Sequence, residues 1–335
     1  MATRMNKQML LASRPTGWVQ ESNFRLVETP VPEITDGQVL VQNSYLSLNP
    51  YMRGIMNDAK SYTAKAELNE VMVGGTIGTV IESKNPDFQV NDHVLGYFGW
   101  QQYGISHGKG LTKITDTAAV PLTAYLGVAG MPGLTAWVGL IEIGEPKQGE
   151  TVVVSAASGA VGSVVGQLAK ARGCRAVGIA GGKEKCDYVV NELGLDACID
   201  YKAGNLREEL ARAAPNGIDI YFDNVGGEVT DTVFEHLNAF SRVPLCGTVS
   251  QYNAQQPYRM RNYGAILINR TKVQGFIVSE HAHSHAQARK ELQELIASGK
   301  LKYRESIAEG LENAPRALIG MLRGENFGKQ LVKLV

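Results

Sequence analysis

The pattern of apolar and polar positions divides the chain into two parts of different structural class. In the first third, short apolar runs with polar positions between them are bounded by Gly, Pro, Asn and Asp, which is typical of β-strands joined by tight turns. Strands are predicted at 38–45, 73–82 and 93–98. Because no helical period separates them, we expect a barrel-like β-domain.

From Thr151 onward, apolar strands alternate with helical segments, which is typical of βαβ units on a parallel sheet. The predicted strands are 151–156, 175–180, 197–199, 218–222 and 241–246, and the predicted helices include 161–173, 183–193 and 286–298. A doubly wound α/β domain is therefore expected. The predicted division is 1–125, 126–302 and a segment 303–335 that returns to the first domain.

Residues 117–141 carry no charged side chain and are long enough to span a membrane. Pro121 and Pro132 interrupt this run and four glycines dilute it, so an isolated span would leave backbone groups unpaired in lipid. We interpret the run as two short buried helices and predict no membrane partner.

Composition limits the choice of ligand and compartment. The 33 basic residues cancel the 33 acidic ones, so no overall field favours nucleic acid or an anionic membrane, and a small-molecule ligand is expected. The four cysteines, at 174, 186, 198 and 246, show no C-x-x-C spacing, and no signal peptide is apparent. These features favour a reducing cytoplasm.

The strongest chemical signal is an apolar strand, 151–156, that runs into an A-x-x-G-x-x-G turn and then a helix. Gly159 permits close approach to a pyrophosphate, Gly162 permits close packing of helix on strand, and the helix N-terminus offers free N–H groups. This context predicts a dinucleotide site rather than a merely structural turn.

The end of the second strand indicates which dinucleotide is bound. An acidic residue about 20 positions after the turn commonly binds the ribose 2′-hydroxyl of NADH, but 178–182 contains no acid and Lys183 and Lys185 follow. Two lysines favour a 2′-phosphate, so NADPH is predicted; the alternative is that they are solvated residues of the helix.

No metal is predicted. The first domain has no cysteine and only His93 and His107, too few ligands for a catalytic zinc. The alternating His281, His283 and His285 have the composition of metal ligands, but alternate histidines at a polar helix start are more often a solvent-exposed face, and they are interpreted as such.

These residues resemble the zinc-independent medium-chain dehydrogenase/reductases, and within them the prostaglandin, double-bond and curcumin reductase group. The segments that carry the resemblance are 47–53 (SLNPYMR), 130–137 (GMPGLTAW), 157–167 (ASGAVGSVVGQ), 221–227 (YFDNVGG) and 324–329 (GENFGK). One departure is Asn49, where many members have Asp.

The resemblance implies a GroES-like β-barrel catalytic domain, a Rossmann domain, and NADPH-dependent reduction of the C=C bond of α,β-unsaturated ketones and aldehydes. It also implies a homodimer. The cofactor-binding residues that it implies are Gly159, Ala160, Val161, Gly162, Lys185, Tyr201, Asn224, Cys246, Gly247, Thr248, Ser250, Tyr252, Phe276, Ile277, Val278 and Asn326.

Hydride addition to the β-carbon of an enone builds negative charge on the carbonyl oxygen, so the reaction needs a neutral donor there. The hydroxyl of Tyr252 is predicted to be this donor, directly or through the cofactor ribose; the alternative is a surface-loop tyrosine. Tyr51, Trp100, Tyr103 and Met131 are predicted to line the substrate pocket, although aromatic residues are often simply core.

Two alternative functions remain open at this point. One is a quinone or carbonyl oxidoreductase on the same scaffold, which differs in the bond that accepts the hydride. The other is an NADPH-binding protein without turnover.

Overall fold

The computed structural model describes residues 4–115 and 120–335. Contacts divide the chain into two compact units, unit 1 with Met1–Gly127 and Glu305–Val335, and unit 2 with Val128–Arg304. The boundaries predicted from the sequence, after residues 125 and 302, each lie two residues earlier.

The described residues form strands in both units. They are β1 Met5–Leu11, β2 Phe24–Pro30, β3 Val39–Ser47, β4 Thr76–Ser83, β5 His93–Gly96, β6 Tyr103–Ser106, β7 Thr112–Ile114, β8 Thr151–Ser155, β9 Arg175–Ala180, β10 Ala197–Asp200, β11 Ile218–Phe222, β12 Leu237–Leu245, β13 Lys272–Gly275, β14 Glu305–Glu309 and β15 Lys329–Lys333.

The α-helices of the described residues are α1 Tyr51–Ile55, α2 Met131–Trp137, α3 Gly162–Ala171, α4 Lys183–Asn191, α5 Leu206–Ala213, α6 Gly227–Val233, α7 Gly264–Asn269, α8 His285–Ala297 and α9 Ala314–Leu322. A π-helical segment, Val138–Gly144, directly follows α2. Short 3₁₀ turns connect several elements.

Unit 1 is built on a largely antiparallel sheet with strand order β14-β15-β3-β4-β5-β7, and β6 also pairs with β3. Alternate positions of β3 point inward, so Val39 and Val41 pack with Val80, Phe88 and Val94 in a small apolar core. β15 comes from the C-terminal segment and pairs with β3, which closes this unit with residues far away in sequence.

Unit 2 contains a six-stranded parallel sheet in the order β10-β9-β8-β11-β12-β13. All five residues of β8 are buried, as expected for a central strand covered on both faces. The predicted doubly wound sheet is therefore confirmed. From β8 the chain first adds β9 and β10 on one side and then crosses over to add β11, β12 and β13 on the other. Ligands of such sheets bind at this switch point, so one is expected at the carboxyl ends of β8 and β11.

The strand predicted at 241–246 in fact begins at Leu237. Its pairing with β11 shifts register between Leu237 and Arg242, and Phe240 has a positive φ of 62°. This irregularity interrupts the apolar period, which is why the sequence pattern showed only the second half of the strand.

The apolar run 117–141 contains a 3₁₀ turn, Leu122–Leu126, and α2, followed by the π-helical segment; residues 117–119 lie outside the described residues. Gly127, Gly130 and Pro132 separate these short elements. Within 4–115 and 120–335, no helix has the length and apolar character needed to cross a membrane.

Candidate active site

The turn between β8 and α3 provides a backbone site for phosphate in unit 2. A side chain on Gly162 would collide with the carbonyl oxygen of Ala156, and a Cβ on Gly159 would lie 3.1 Å from the same atom. The glycines therefore allow the turn to close tightly. In the described residues no side chain caps the N-terminus of α3, so the positive end of its helix dipole is open to a phosphate.

The end of β9 brings two lysines together. The carboxylate of Asp200 accepts hydrogen bonds from the backbone N–H groups of Gly182, at 2.8 Å, and Lys202, at 3.0 Å. Burial and the neighbouring ammonium of Lys202 lower the pKa of Lys185. Two ammonium groups that destabilise each other are stabilised by an anion placed between them, as a 2′-phosphate would be.

Tyr201 lies beside the same strand end. Its hydroxyl oxygen and the Lys202 Cε lie 3.1 and 2.9 Å from the position that a Cβ on Gly181 would occupy. Tyr201 is one of the residues that the family resemblance implies; Lys202, which directly follows it, is not. Lys183, the other lysine considered, forms an exposed ion pair with Asp187 at 2.5 Å and is therefore a surface residue.

The carboxyl ends of β8 and β11 are joined by Asp223, which sequence analysis did not select. This fully buried side chain accepts hydrogen bonds from the N–H groups of Val225 and Gly226, both at 2.9 Å, and from the hydroxyl of Thr230 at 2.6 Å. The side chain of Asn224 in turn donates to the carbonyl of Ser155 at 2.8 Å. These bonds fix the predicted site of the nicotinamide half.

The loop after β12 is attached to the same point. The N–H groups of Cys246 and Gly247 donate to the Asp223 carbonyl at 2.8 and 3.1 Å, and the Ser250 hydroxyl donates to the Val225 carbonyl at 2.7 Å. Burial and the charge of Asp223 raise the pKa of Cys246 to about 12, so the thiol is not a nucleophile at neutral pH.

Tyr252 is half-buried at the end of this loop. Its hydroxyl oxygen lies 3.3 Å from the position of a Cβ on Gly247, so the ring folds back over the loop. Burial raises the pKa of Tyr252, although hydrogen bonds from Thr248 act in the opposite direction. The phenol therefore stays neutral and able to donate.

Phe276 begins the remaining predicted segment of unit 2, which continues through Ile277 and Val278. It is buried and packs edge-on against Phe222 of β11, with ring centroids 6.3 Å apart. Met131 begins α2, and its carbonyl accepts a hydrogen bond from the Thr135 hydroxyl at 2.8 Å.

The other predicted residues lie in unit 1. Tyr51 begins α1 and is half-buried; burial, Tyr97 and Tyr62 raise its pKa. The Tyr103 hydroxyl accepts a hydrogen bond from the Gln42 side chain at 3.3 Å.

Trp100 and Asn326 are the last two predicted residues of this unit. Trp100 is fully buried and stacks on Phe24, with ring centroids 5.2 Å apart, which are the contacts of a core residue. The side chain of Asn326 donates to the Gly328 carbonyl at 2.8 Å.

A buried lysine in unit 1, Lys329, was not selected as a functional residue. Its ammonium donates to the carbonyl of Leu48 and, at 3.0 Å, to the side-chain oxygen of Asn49. The Asn49 amide donates to the Ser47 hydroxyl at 2.9 Å, a bond that an aspartate in the same place would not donate. Burial lowers the pKa of Lys329 to about 7, with Glu305 acting in the opposite direction.

We expect Lys329 to make the stability of the protein depend on pH. Between pH 7 and about 10.4, Lys329 binds a proton in the unfolded state but not in the folded state. The free energy of unfolding therefore rises with pH in this window, and this gain is lost again as the pH falls toward 7. Relative to Lys329→Met, the free energy of unfolding of the wild type should rise by about 1 kcal/mol from pH 7.5 to 8.5. Urea titrations at the two pH values measure this difference.

The control for this prediction is Lys109→Met, which removes an exposed lysine of the same unit. It should show the same pH dependence as the wild type. Parallel pH profiles for Lys329→Met and the wild type would contradict the prediction.

The histidines of the segment 281–285 do not all lie on an exposed face, which corrects the interpretation made from the sequence. His283 is 71% exposed, but the His281 side chain is 21% exposed and its Nδ1 lies 2.6 Å from a carboxylate oxygen of Glu142. His285 contacts the Val278 carbonyl at 2.8 Å. The segment turns at His281, whose backbone is not helical, so a regular helix face is not formed.

Each of the two parts of the chain matches a known protein family. A family described as the N-terminal domain of oxidoreductase matches residues 7–114, and one described as zinc-binding dehydrogenase matches 160–298. Crystal structures of quinone oxidoreductases from Pseudomonas syringae and Escherichia coli, at 22% and 19% identity with TM-scores of 0.75 and 0.77, share the fold.

Closer relatives match over nearly the full length. The chain is 48% identical to NADPH-dependent curcumin reductase of Escherichia coli, with 98% of this chain and 97% of the relative covered. It is 42% identical to 2-alkenal reductase of Nicotiana tabacum, with 98% and 97% covered. The crystal structure of CurA from Vibrio vulnificus in complex with NADPH is 47% identical, with a TM-score of 0.94 and 98% and 99% covered. The chain therefore belongs to the zinc-independent enone reductase group of the medium-chain dehydrogenase/reductases.

Proposed function

We propose that this protein reduces the C=C bond of α,β-unsaturated ketones and aldehydes with NADPH. The observation that carries the proposal is the loop 246–252, which is fixed to the Asp223 carbonyl by two N–H groups and places the neutral Tyr252 hydroxyl over Gly247, beside a protonated thiol. Such a loop suits the stabilisation of an enolate and does not suit nucleophilic catalysis. Full-length similarity to an alkenal reductase and a curcumin reductase supports the same reaction.

The residues present fit NADPH. The uncapped N-terminus of α3 and the turn Gly159–Gly162 would hold the pyrophosphate, and Lys185, Lys202 and Tyr201 would hold the 2′-phosphate. Asn224, the loop from Cys246 to Tyr252 and the segment from Phe276 to Val278 are proposed for the nicotinamide half. When bound, NADPH supplies the hydride that the β-carbon of the substrate accepts.

Tyr252 is proposed as the residue that meets the substrate oxygen. Its neutral hydroxyl donates a hydrogen bond to the carbonyl oxygen as negative charge develops there. The α-carbon of the resulting enolate then takes a proton from solvent, which completes the saturated ketone. The assignment of Tyr51, Tyr103, Met131 and Trp100 to substrate binding stays a prediction; of these, Trp100 is the one whose core contacts argue for an indirect role.

The proposed function is tested with 3-nonen-2-one and NADPH that carries deuterium at the transferable position. We expect NADPH consumption and a saturated ketone labelled on the β-carbon, with a solvent proton on the α-carbon. A label on the carbinol carbon would mean carbonyl reduction. No consumption of NADPH with this substrate or other enones would mean a binding protein without turnover.

Chelation should leave this activity intact. The proposed chemistry uses a phenol and no metal ligand, so the rate after exhaustive EDTA treatment and desalting should equal the untreated rate. A carbonyl reductase assay with a zinc-dependent alcohol dehydrogenase serves as a positive control for chelation. Loss of enone reduction that added Zn²⁺ restores would overturn the zinc-independent mechanism.

We propose that the protein acts in the cytoplasm, which is consistent with its four free thiols. We also propose that the chain forms a homodimer through the edge of the parallel sheet of unit 2. At this edge, β13 and α7 expose large apolar side chains; Leu267 is 82% and Ile268 71% exposed. Exposed apolar residues grouped on an edge strand and its neighbouring helix are typical of an association surface.

The dimer prediction is checked by light scattering at micromolar concentration. The wild type should show twice the mass of the chain, and the double variant Leu267→Asp/Ile268→Asp should show the mass of one chain because two charges would be buried in the interface. Val90→Asp, at an exposed apolar residue of unit 1, is the control and should remain dimeric. A monomeric wild type contradicts the proposal.

A further inference from the structure

A cluster of three side chains in unit 2 has the composition of a metal site. Among the His, Cys, Asp and Glu side chains of the described residues, Glu142, His281 and His283 form one group of potential ligands. One ligand atom from each lies within 4.8 Å of the other two. The Glu142 carboxylate bridges the two imidazoles, with one oxygen 2.6 Å from His281 Nδ1 and the other 3.4 Å from His283 Nε2. None of these residues belongs to the phosphate turn or the loop 246–252.

Two short irregular segments bring these side chains together. Glu142 lies in the π-helical segment Val138–Gly144, and His281 lies where the 3₁₀ segment Val278–Ser284 departs from helical geometry. Because its backbone bends at His281, the side chains at 281 and 283 both reach Glu142. The Ser284 hydroxyl holds this bend by donating to the His281 carbonyl at 2.9 Å.

The third histidine of the segment is used differently. His285 contacts the Val278 carbonyl at 2.8 Å, which ties the ends of the 3₁₀ segment together. The Glu142 and His281 side chains are about one-fifth exposed, whereas His283 is mostly exposed and therefore has the freedom to close over an ion. The ring of Phe276 packs edge-on against His281, with centroids 6.3 Å apart, and gives the cluster an apolar wall.

We propose that Glu142, His281 and His283 bind a divalent transition-metal ion, with Zn²⁺ as the preferred occupant. In a tetrahedral site with Zn–N and Zn–O bonds of about 2.1 Å, neighbouring ligand atoms lie about 3.4 Å apart. One Glu142 oxygen lies at this distance from His283 Nε2 already, but the three ligand atoms as a set lie only within 4.8 Å of one another, so the exposed His283 ring must move toward the ion. The Glu142–His281 pair is a hydrogen bond that opens by less than about 1 Å when the metal takes the place of the proton.

The donor set determines the class of metal. Two imidazoles and one carboxylate suit Zn²⁺, Co²⁺, Ni²⁺ and Cu²⁺ rather than Mg²⁺ or Ca²⁺, which prefer oxygen ligands. Three protein ligands leave a fourth position, which water fills. The ion would join the π-helical segment to the segment that follows Phe276. That segment adjoins the residues proposed for the nicotinamide half, but none of the three ligands is itself proposed to bind the cofactor.

The test uses the full chain without an affinity tag, after EDTA treatment and desalting. Calorimetric titration with Zn²⁺ should show saturable binding of about one ion per chain, and titration with Co²⁺ should show the visible absorption of a tetrahedral site. Glu142→Gln, His281→Gln and His283→Gln should each weaken Zn²⁺ binding by at least about 10-fold. His283 is mostly exposed, so His283→Gln should fold normally, as its circular dichroism and melting temperature will show.

Two control variants exclude other sites. His107→Gln removes an imidazole from unit 1, and Cys198→Ser removes a thiol from unit 2; both should bind Zn²⁺ as tightly as the wild type. An absence of saturable binding in the wild type overturns the proposal. So does a His283→Gln variant with wild-type affinity, or a loss of binding in Cys198→Ser that identifies thiols as the ligands.

Discussion

Replacement of Lys185 by alanine is expected to lower the apparent affinity for NADPH by about 10- to 150-fold while the use of NADH barely changes. A charge-assisted hydrogen bond to a phosphate contributes roughly 1.5–3 kcal/mol, and only NADPH carries the 2′-phosphate. Burial and the repulsion from the Lys202 ammonium both lower the pKa of Lys185, and an anion placed beside the two lysines relieves this repulsion. Steady-state kinetics with both cofactors at saturating enone measures the effect.

The matched control is Lys183→Ala. Lys183 lies in the same turn of α4, but its ammonium is exposed and paired with Asp187. Its removal should leave the NADPH affinity within about twofold, because exposed ion pairs contribute little. An equal loss for both cofactors in Lys185→Ala would assign Lys185 a structural role and remove the basis for NADPH selectivity.

The features that sequence analysis predicted correctly depend on local patterns. The parallel strands β8 and β9 are short and buried on both faces, and the spacing of Gly159 and Gly162 places the turn between strand and helix. Period and glycine spacing are properties of a few neighbouring residues, so they can be identified without knowledge of the fold. The family resemblance added the loop after β12, which has no local signal of its own.

The features that sequence analysis missed depend on partners far away in the chain. Lys329 is buried against Asn49, 280 residues earlier, and nothing in the sequence near either residue indicates this pairing. Lys202 approaches Lys185 only because β10 lies beside β9 in the sheet. Asp223 appears in the motif 221–227, but its role becomes visible only when the backbone N–H groups that surround its carboxylate are placed.

The histidines at 281, 283 and 285 show the converse error, in which a local pattern predicts a feature that the fold does not form. A pattern of alternating histidines near a helix start predicts a common solvated face, and the structure separates them because the backbone bends at His281. Glu142, the residue that brings two of them together, is 139 positions earlier. A cluster of this kind is formed by the packing of two irregular segments, and irregular segments have no period that a sequence pattern can detect.

Replacement of Tyr252 by phenylalanine is expected to lower kcat by about 5- to 50-fold with little change in NADPH affinity. If the hydroxyl donates only as charge develops on the substrate oxygen, its loss affects the transition state and not the bound cofactor. A hydrogen bond of this kind contributes on the order of 1 kcal/mol, and more when the acceptor carries charge. Because a ribose hydroxyl or water can replace part of this contribution, activity should fall without being abolished. The deuterium label should stay on the β-carbon.

The control for this last prediction is Tyr258→Phe, which removes a phenol hydroxyl that follows closely in sequence and donates to Asp231 at 3.0 Å. Because that hydroxyl is bound within unit 2 and has no role in the proposed reaction, kcat should stay within about twofold of the wild type. A Tyr252→Phe enzyme with unchanged kcat would show that another group stabilises the enolate. A variant that instead loses NADPH affinity with kcat preserved would place the Tyr252 hydroxyl on the cofactor, because the lost interaction would then be made equally in the ground state and the transition state.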